Sequence, residues 1–587
     1  MSLDPSFRRA SSRAERFTST GSTPASLSTA LVLSVCAAVL SLLIHGYAFG
    51  TSNNLFHVPI VENWMSDPAF ATDHFIQSLR YFPSYVWSLA SMLAPSLGTE
   101  NTFFAFHVAG RIATFTTIVL LLRELGVVRL APLTLALLTL AASANMTGFS
   151  LVGIHDLLSI EFTHTTLTWI PLLASLLFLM RGCLISAIAM TGIVFGINAF
   201  VGIWHAVAIA AASLILFPME QSERLRFLKR WLIGVLVALV LAGAAVFRIF
   251  EAITTQPPAP PFDFLDYLLE YYSLHTLISR HRPADVVMFA TIVALGGLAL
   301  RELGSAARVL RIAFAAYLVV FAFGLVLPLA THSRLLLNLA PLRVAGGVLT
   351  MVSVIAAVAV FIRWLSSGND VVLKLSGVVG LIFLAAGKKF AAGGLLAILL
   401  PAAFHLFAAY GRPDFGTRQR WLVRLANQAG RRAVILTALG LGTIAVARSV
   451  YVRAEHAQRD VIADTREVGL WLRNNTPIRS QVLGPPNAPA HLQVWARRAF
   501  WYDWKRGAAA MWSPGYHPEW TERRRAVSSL STLEQKLDYA CSKGIDYLVE
   551  PRAQMKAAPE HATLVSGSAV KQTAHHIVLK TAGWCRR

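Results

Sequence analysis

The stretch from Ser52 to Phe75 has a composition that could support proton transfer. Among its polar residues are three carboxylates, two histidines and an adjacent pair of asparagines: Glu62, Asp67, Asp73, His57, His74, Asn53 and Asn54. No Lys or Arg interrupts it, and aromatic and aliphatic residues are interleaved with these polar ones. A carboxylate held beside hydrocarbon is energetically costly, which favours a functional interpretation. The alternative is structural, because any one of these residues could cap a helix and Asp67-Pro68 could form an ordinary turn.

Further polar residues cluster at three later places in the chain. They are His155, Asp156, Glu161 and His164, then His275, Arg280, His281 and Arg282, then His332 and Arg334, with Arg343 opening the next apolar run. Acids therefore concentrate early and cations late. A turn explains His155-Asp156 better than a metal site does, and an anchor at the membrane interface explains Arg280 to Arg282 as well as a substrate role does.

Acids and cations divided in this way suit one kind of chemistry if all four clusters share a surface. A carboxylate can accept the proton of an attacking hydroxyl group. Arginines can neutralise a departing phosphate through paired hydrogen bonds. This is what a transferase needs when its donor is a sugar joined through phosphate to a membrane lipid. A metalloprotease and a P-loop ATPase are excluded, since neither H-E-x-x-H nor G-x-x-x-x-G-K-[ST] occurs.

The composition places these clusters between membrane helices. Of the 587 residues, 55% are hydrophobic and 14% are charged, with a mean hydropathy of +0.56. A soluble chain carries about a quarter charged residues. Apolar runs of a length that crosses the hydrocarbon core recur along most of the chain, which predicts an α-helical polytopic membrane protein.

Lys and Arg in the short loops predict the topology, because these residues are retained on the cytoplasmic side. We expect about 13 membrane helices, with the N-terminus inside and the C-terminus outside. The division is a basic cytoplasmic leader (residues 1–28), a membrane domain (29–450) and an extracytoplasmic domain (451–587). The polar clusters then fall in outer loops, which we call the first (49–102), second (145–166) and third (251–285) loops, with His332 and Arg334 in a fourth. Lys388-Lys389 breaks the rule, as it would lie outside between two short helices.

The sequence pattern of residues 451–587 predicts a small α/β domain. Helical patterns cover Asp464 to Arg473 and Glu519 to Tyr539, and short strands are predicted at Ser480 to Leu483, Asp546 to Glu550 and His576 to Lys580. The domain holds 20 Lys and Arg against 12 Asp and Glu, a formal excess of eight positive charges. Such a charge suits anionic lipid head groups or phosphates, and solubility explains it equally well. Cys541 and Cys585 could form one disulfide if the domain is extracytoplasmic.

Several short motifs resemble those of a known superfamily. They are N-N-x-x-H-x-P at Asn53 to Pro59, followed by Asp67-Pro68 and Asp73; the run Met180 to Val207; NLAPLR at Asn338 to Arg343; and, in the last domain, WLRNNTP, VLGPPN, Arg497-Arg498 and Tyr502-Asp503-Trp504-Lys505. Together they resemble the C-type (GT-C) membrane glycosyltransferases and, among these, a large bacterial branch. The likeness covers most of the chain in layout.

The resemblance implies an activity and roles for particular residues. It implies transfer of a hexosyl or pentosyl group from a polyprenyl-phosphate donor to an envelope glycan, lipid or protein on the outer face of a bacterial inner membrane. Asp73 is then the first choice for the base and Glu62 the second, with Asp156 or Glu161 assisting. Substrate or phosphate would meet Arg280, Arg282, Arg334, Arg343, Asn54 and His57. The superfamily usually has an essential Asp beside the first span, where this chain has Asn53 and Asn54.

The implied cofactors and partners are few. Some relatives require a divalent metal, so a metal stays open, and no residue is assigned to one. The expected partners are the lipid-linked donor, membrane lipids and the acceptor, with no nucleic acid. Two other functions remain open: a transporter or lipid flippase, which would favour ionisable residues deep within spans and two related halves, and a non-enzymatic scaffold for envelope assembly on the same fold.

Overall fold

A computed structural model describes residues 24–147, 150–154, 157–366, 370–410, 437–450, 457–486, 488, 490–553 and 567–586. Most of the basic leader, His155 and Asp156 fall outside them.

A helix covers each apolar run that the sequence marks as a membrane span. These helices are Leu27–His45, Thr99–Glu124, Leu130–Ala142, His164–Met180, Leu184–Ile197, Ala199–Ile215, Gln221–Thr255, Pro283–Glu302, Arg308–Ala330, Thr350–Leu365, Val371–Ala386, Ala391–Tyr410 and Thr437–Val450. Among the described residues, six helical segments are long and apolar enough to cross a membrane by length and composition. The predicted helical polytopic class is confirmed, while the number of spans and the orientation of the termini stay predictions.

The helix Thr350–Leu365 lies at the centre of the membrane domain, with all of its residues except Arg363 buried. Its small residues allow close neighbours. A Cβ on Gly296 of the helix Pro283–Glu302 would come 2.1 Å from the Ser353 Oγ, so only glycine permits this approach. A turn at Lys388–Phe390 separates the next two helices, as the sequence predicts.

Short helices fill the loops at one end of the bundle. They are Asn54–Val61, His74–Ser78, Val86–Leu97, Phe264–Tyr271, Ser273–Thr276 and Arg334–Leu337. The Asp73 carboxylate caps the second of these by accepting the Ile76 N–H, and Asp263 caps the fourth. The apolar helix Val86–Leu97 was not predicted, because at 12 residues it is too short to read as a span.

The C-terminal domain has a five-stranded sheet in the order β2-β1-β3-β5-β4. Its strands are β1 (Gln481–Leu483), β2 (Ala499–Phe500), β3 (Tyr547–Pro551), β4 (Ala569–Gln572) and β5 (His576–Lys580). β1 runs parallel to β2 and β3, whereas β5 runs antiparallel to β3 and β4. The predicted α/β class is confirmed.

Helices and one disulfide complete this domain. The helices are Ala457–Asn475, Leu492–Ala496, His517–Ser528 and Leu533–Ser542. The sequence predicted one helix from Glu519 to Tyr539, but Thr532 and Gln535 form a capping box that starts a second helix there. Cys541 and Cys585 are bonded, as predicted, with 5.4 Å between their Cα atoms.

Candidate active site at the loop end of the helical bundle

The four loops meet at one end of the bundle, which we call the loop face. The Thr51 hydroxyl of the first loop donates to Glu161 of the second. The Gly153 N–H of the second lies 3.2 Å from His281 Nε2 of the third. His332 of the fourth loop lies 2.7 Å from the Asp263 carboxylate. The four loops are therefore joined to one another on one face of the bundle.

The C-terminal domain docks on the loop face through ion pairs. Glu62 pairs with Arg497 at 3.3 Å, Asp73 with Arg506 at 3.0 Å, Glu100 with Arg466 at 2.9 Å, and Glu270 with Arg524, while Glu519 of the domain pairs with His74 of the first loop. Four arginines of this basic domain thus neutralise carboxylates of the membrane domain. Most of these pairs are partly exposed and individually weak, but the Asp73–Arg506 pair is buried.

Asp73, the first choice for the base, is engaged on both carboxylate oxygens. Arg506 Nη1 donates to Oδ1 at 3.3 Å and Nη2 to Oδ2 at 3.0 Å. The Arg506 side chain is fully buried and lies over the Phe75 ring at 4.7 Å, and it also donates to Gln493. Burial lowers the pKa of this guanidinium, and the Asp73 charge overcomes that and raises the pKa. The geometry gives Asp73 a docking role, and its role as base stays a prediction that these contacts do not favour.

Glu62 and Asn54 are also held by the protein. The Glu62 carboxylate accepts from the Trp64 indole at 2.9 Å and from the Thr99 hydroxyl at 2.7 Å. The Asn54 side chain accepts from the Gly50 N–H and donates to the Phe162 carbonyl, and it is fully buried. Asn54 therefore joins the first and second loops, and the substrate role predicted for it stays a prediction.

Glu161 is the remaining predicted carboxylate that the structure describes. It is 3% exposed and accepts from the Thr51 hydroxyl at 3.3 Å. Asp156, its neighbour in the second loop, lies outside the described residues. The assisting roles predicted for these two acids stay predictions.

The four predicted phosphate-binding arginines do not gather in one place. Arg280, Arg282 and Arg334 are exposed, and Arg282 makes a two-pronged ion pair with Asp285 one helical turn away. Arg343 is half-buried and lines an internal cavity. Only Arg343 among them lies where a ligand could be enclosed between loops and helices.

Arg343 is positioned by an interruption of the helical backbone. Ala340 adopts a left-handed conformation with φ +42°, and a 3-10 turn at Pro341–Val344 and a π-turn at Ala345–Leu349 follow before the helix becomes regular. Pro341 cannot continue a helix from the residues before it. Gly153, with φ +77°, packs so closely that a Cβ there would come 2.8 Å from the Arg343 Cα. The second loop thus fixes the position of this arginine.

Several basic and imidazole side chains interact electrostatically with one another on the loop face, and we call this set the cationic chamber: Arg343, Lys505, His57, His164, His275 and His281. Burial, followed by the charges of Arg343, Lys505 and His281, lowers the pKa of His275 well below its ordinary value. Burial, then His164 and Lys505, lowers the pKa of His57 in the same way. Both histidines are therefore neutral at pH 7. At pH 7 the positive charges of this set are those of Arg343 and Lys505, which both act on His275.

His57 forms one wall of this chamber. Its ring stacks on Trp87 at 3.9 Å, and the His164 ring lies edge-on to it at 5.3 Å. The side chain is fully buried, and neither ring nitrogen has a hydrogen-bond partner among the described residues. A buried polar group without a hydrogen bond lowers the stability of the fold, and such unsatisfied groups are typical of functional sites.

A small apolar cavity lies beside Arg343, between the membrane helices. Its lining is Trp169, Leu172, Val201, Trp204, His205, Tyr317, Arg343, Val344, Gly347 and Val348, and its volume is about 10 Å³. The Trp204 indole donates to the Leu339 carbonyl at 2.8 Å and holds this wall to the segment that carries Arg343. One arginine thus stands where a charged chamber meets an apolar cavity.

Lys505 was not among the predicted site residues. It lies in the turn Trp504–Met511, which the Asp503 carboxylate caps by accepting the Lys505 N–H. The sequence assigns the motif Tyr502-Asp503-Trp504-Lys505 to the last domain. No spacing rule connects it with Arg343, some 160 residues earlier in the chain. Among the described residues, no group of three or more His, Cys, Asp and Glu side chains could hold a metal ion.

Comparisons with known proteins find likeness in solved structures alone, since no family model and no curated protein matches. The crystal structure of ArnT from Cupriavidus metallidurans in the apo state aligns with 94% of this chain and 98% of its own, at 14% identity and a TM-score of 0.45. The same protein bound to undecaprenyl phosphate aligns with 95% and 98%, at 11% identity and a TM-score of 0.44.

A third structure is that of the arabinofuranosyltransferase AftD from Mycobacteria, determined by electron cryo-microscopy. It aligns with 90% of this chain and 35% of its own, at 15% identity and a TM-score of 0.39. ArnT and AftD are polytopic membrane glycosyltransferases of the GT-C fold, the superfamily that the sequence motifs resemble. All three TM-scores lie below 0.5, so the alignments carry no residue role and no substrate over to this chain.

Proposed function

We propose that this protein is a membrane glycosyltransferase that takes a sugar from a polyprenyl-phosphate donor at Arg343 and passes it to an acceptor of the cell envelope. The single observation that carries the proposal is the position of Arg343 between the cationic chamber and the apolar cavity. An anion with an apolar tail would suit the charge of the one and the apolar lining of the other. A lipid phosphate has this chemistry.

The roles of the residues follow from the bonds that change. The acceptor oxygen forms a bond to the anomeric carbon, the bond from that carbon to the phosphate oxygen breaks, and the phosphate leaves with the electron pair. Arg343 and Lys505 stabilise the charge that develops on this phosphate. The acceptor proton passes to a carboxylate, for which Asp156 and Glu161 of the second loop are the proposed candidates.

The test uses the full chain in lipid nanodiscs. We expect Arg343→Gln to slow sugar transfer from a polyprenyl-phosphate donor by about 10²- to 10³-fold, as loss of one stabilising donor does in other enzymes. It should also weaken binding of undecaprenyl phosphate, measured by quenching of tryptophan fluorescence, because Trp169 and Trp204 line the cavity. Arg343→Lys should retain part of both.

Arg282→Gln is the matched control. It removes an exposed arginine of the loop face whose charge is already paired with Asp285, so transfer and lipid binding should stay unchanged. Equal rates for the Arg343→Gln variant and the unchanged protein would contradict the proposal. Loss of lipid binding in both variants would show that general surface charge, and not the chamber, attracts the lipid.

A further inference from the structure

Arg448 carries a positive charge at the loop end of the membrane domain without a carboxylate beside it. It lies near the end of the helix Thr437–Val450 and is half-buried. Its Nη1 donates to the Ala142 carbonyl at 3.2 Å and its Nη2 to the Thr147 hydroxyl at 2.6 Å. A guanidinium group has five N–H donors. Neutral groups therefore accept from two of them, and no carboxylate in the described ranges pairs with the charge.

A second arginine without a carboxylate lies deeper in the bundle. Arg111, in the helix Thr99–Glu124, is 4% exposed. Its hydrogen-bond partners are the Ser41 hydroxyl at 2.6 Å, the Ser159 carbonyl at 2.6 Å and the His107 ring at 3.2 Å. Arg111 and Arg448 both lie close enough to His45, the last residue of the first helix, to act on it electrostatically. The two charges therefore share one region, and neither has an acidic partner among the side chains that the structure describes.

The two arginines differ in what they can bind. A guanidinium group that is removed from water without a counter-charge lowers the stability of the fold, and Arg111 is the more buried of the two. Arg111 is too enclosed to meet a ligand. Arg448 lies at the surface of the bundle, so an anion can reach it. An anion bound there would be attracted by both charges.

The surface around Arg448 is apolar. Val446 and Val450 of the same helix are 65% and 62% exposed, and Leu43 of the helix Leu27–His45 is 62% exposed. The two helices are adjacent, since the Ser449 hydroxyl donates to the Leu43 carbonyl at 3.5 Å. In a membrane protein such side chains meet acyl chains, and an arginine near a helix end reaches the level of the head groups. The expected anion is therefore the head group of a lipid, and not an ion free in water.

We propose that Arg448 binds the phosphate of an anionic membrane phospholipid, at the seam between the helices Leu27–His45 and Thr437–Val450. The phosphate accepts hydrogen bonds from donors of Arg448 that the described residues leave unused. The site needs no enclosed cavity, because the head group lies on the surface of the bundle and the chains lie in the bilayer. The proposal is independent of the proposed function, since this lipid takes no part in sugar transfer.

The test measures lipid binding to the full chain. The protein in a neutral detergent is mixed with phosphatidylglycerol, with phosphatidylcholine, whose phosphate is already paired with choline, or with inorganic phosphate, and native mass spectrometry measures the affinity. We expect phosphatidylglycerol to bind more tightly than phosphatidylcholine, and inorganic phosphate to leave it in place. Arg448→Gln should weaken the binding of phosphatidylglycerol about fivefold, since one cation near the membrane surface contributes about 1 kcal/mol.

Three further variants identify the site. Arg448→Lys keeps the charge and should retain the preference for phosphatidylglycerol. Arg248→Gln is the matched control, because Arg248 also lies on a membrane helix and donates to the Arg80 carbonyl at 3.0 Å, but has a carboxylate partner, Glu251, at 3.9 Å. Its loss should leave the affinity unchanged. Arg343→Gln should leave it unchanged too, which separates this site from the cationic chamber.

Several results would overturn the proposal. They are equal affinities of the unchanged protein for the two lipids, displacement of phosphatidylglycerol by inorganic phosphate, an unchanged affinity in Arg448→Gln, an equal loss in Arg248→Gln, and loss of the preference in Arg448→Lys. A protein that binds phosphatidylglycerol in this way but transfers no sugar would retain the lipid site and reject the proposed function.

Discussion

Replacing Asp73 distinguishes a docking residue from a catalytic base. In the Asp73→Ala variant, the fully buried Arg506 loses the carboxylate that bonds both of its terminal nitrogens. Both partners are at most 5% exposed, so solvent does not screen the pair. Breaking a buried ion pair by removing one partner costs about 3–5 kcal/mol, because a charge remains buried without compensation. This cost falls on the contact between the first loop and the turn Trp504–Met511.

Hydrogen exchange of the full chain in nanodiscs measures that contact. A loss of 3 kcal/mol corresponds to an increase of about 100-fold in the opening equilibrium. Amides of residues 504–511 should exchange faster by this factor if their protection comes from docking. Asp67→Ala is the control, since Asp67 caps a single turn by accepting the Ala69 N–H, and its loss should cost about 1 kcal/mol without affecting residues 504–511.

A double variant separates the two roles. Replacing the pair by apolar residues, Asp73→Leu with Arg506→Met, removes both buried charges at once, and such replacements are often neutral or stabilising. We expect protection and sugar transfer to return together. A double variant that is protected but inactive would show that Asp73 is the base after all. Unchanged exchange in Asp73→Ala would refute the docking role.

Two further predictions concern the cationic chamber. Gly153→Ala should reduce transfer at least tenfold, because its Cβ would meet the backbone of Leu342 and Arg343 at 2.7–2.8 Å. The control is Gly126→Ala, with a similar φ of +92° and open space around it, which should cost about 1–3 kcal/mol of strain and leave transfer intact. Equal activities of the two variants would contradict the reasoning. The protein should also lose stability as the pH falls below 6.5, since the pKa of His57 and of His275 is lowered in the folded state and the unfolded chain takes up protons first. Each pH unit below 6.5 lowers the free energy of unfolding by up to about 1.4 kcal/mol for the fully buried His57. When the pH is lowered from 7.5 to 5.5, the melting temperature should therefore fall less in a His57→Phe variant than in the unchanged protein.

The sequence predicts the elements of this protein well because local patterns decide them. Apolar runs locate the membrane helices, Lys388-Lys389 marks a real break, and the short apolar run from His576 to Lys580 gives β5 to the residue. β2 has only two residues, and the sequence AVKQ of β4 does not alternate apolar and polar residues, so neither produces a recognisable pattern. The helix break near Thr532 depends on a capping box that a longer helical pattern conceals.

The sequence alone does not predict which charged residues pair with each other. Asp73 and Arg506 are separated by 433 positions, and no spacing rule connects them. From the sequence, the basic excess of the last domain suits head groups, phosphates or solubility equally well, yet four of its arginines pair with carboxylates of the membrane domain. Lys505 was missed for the same reason. Residue types indicate the chemistry that is available, and only the tertiary fold decides which side chain meets which.

Because Lys505 belongs to the last domain, the order of synthesis has a consequence for activity. The ribosome makes the turn Trp504–Met511 after every helix of the membrane domain that the structure describes. Until that turn is made, the nascent protein has its apolar cavity and its early acids but lacks one of the two permanent cations of the chamber. Assembly of the chamber is thereby coupled to completion of the polypeptide, and under the proposed function a prematurely terminated chain would lie in the membrane without transferring sugar.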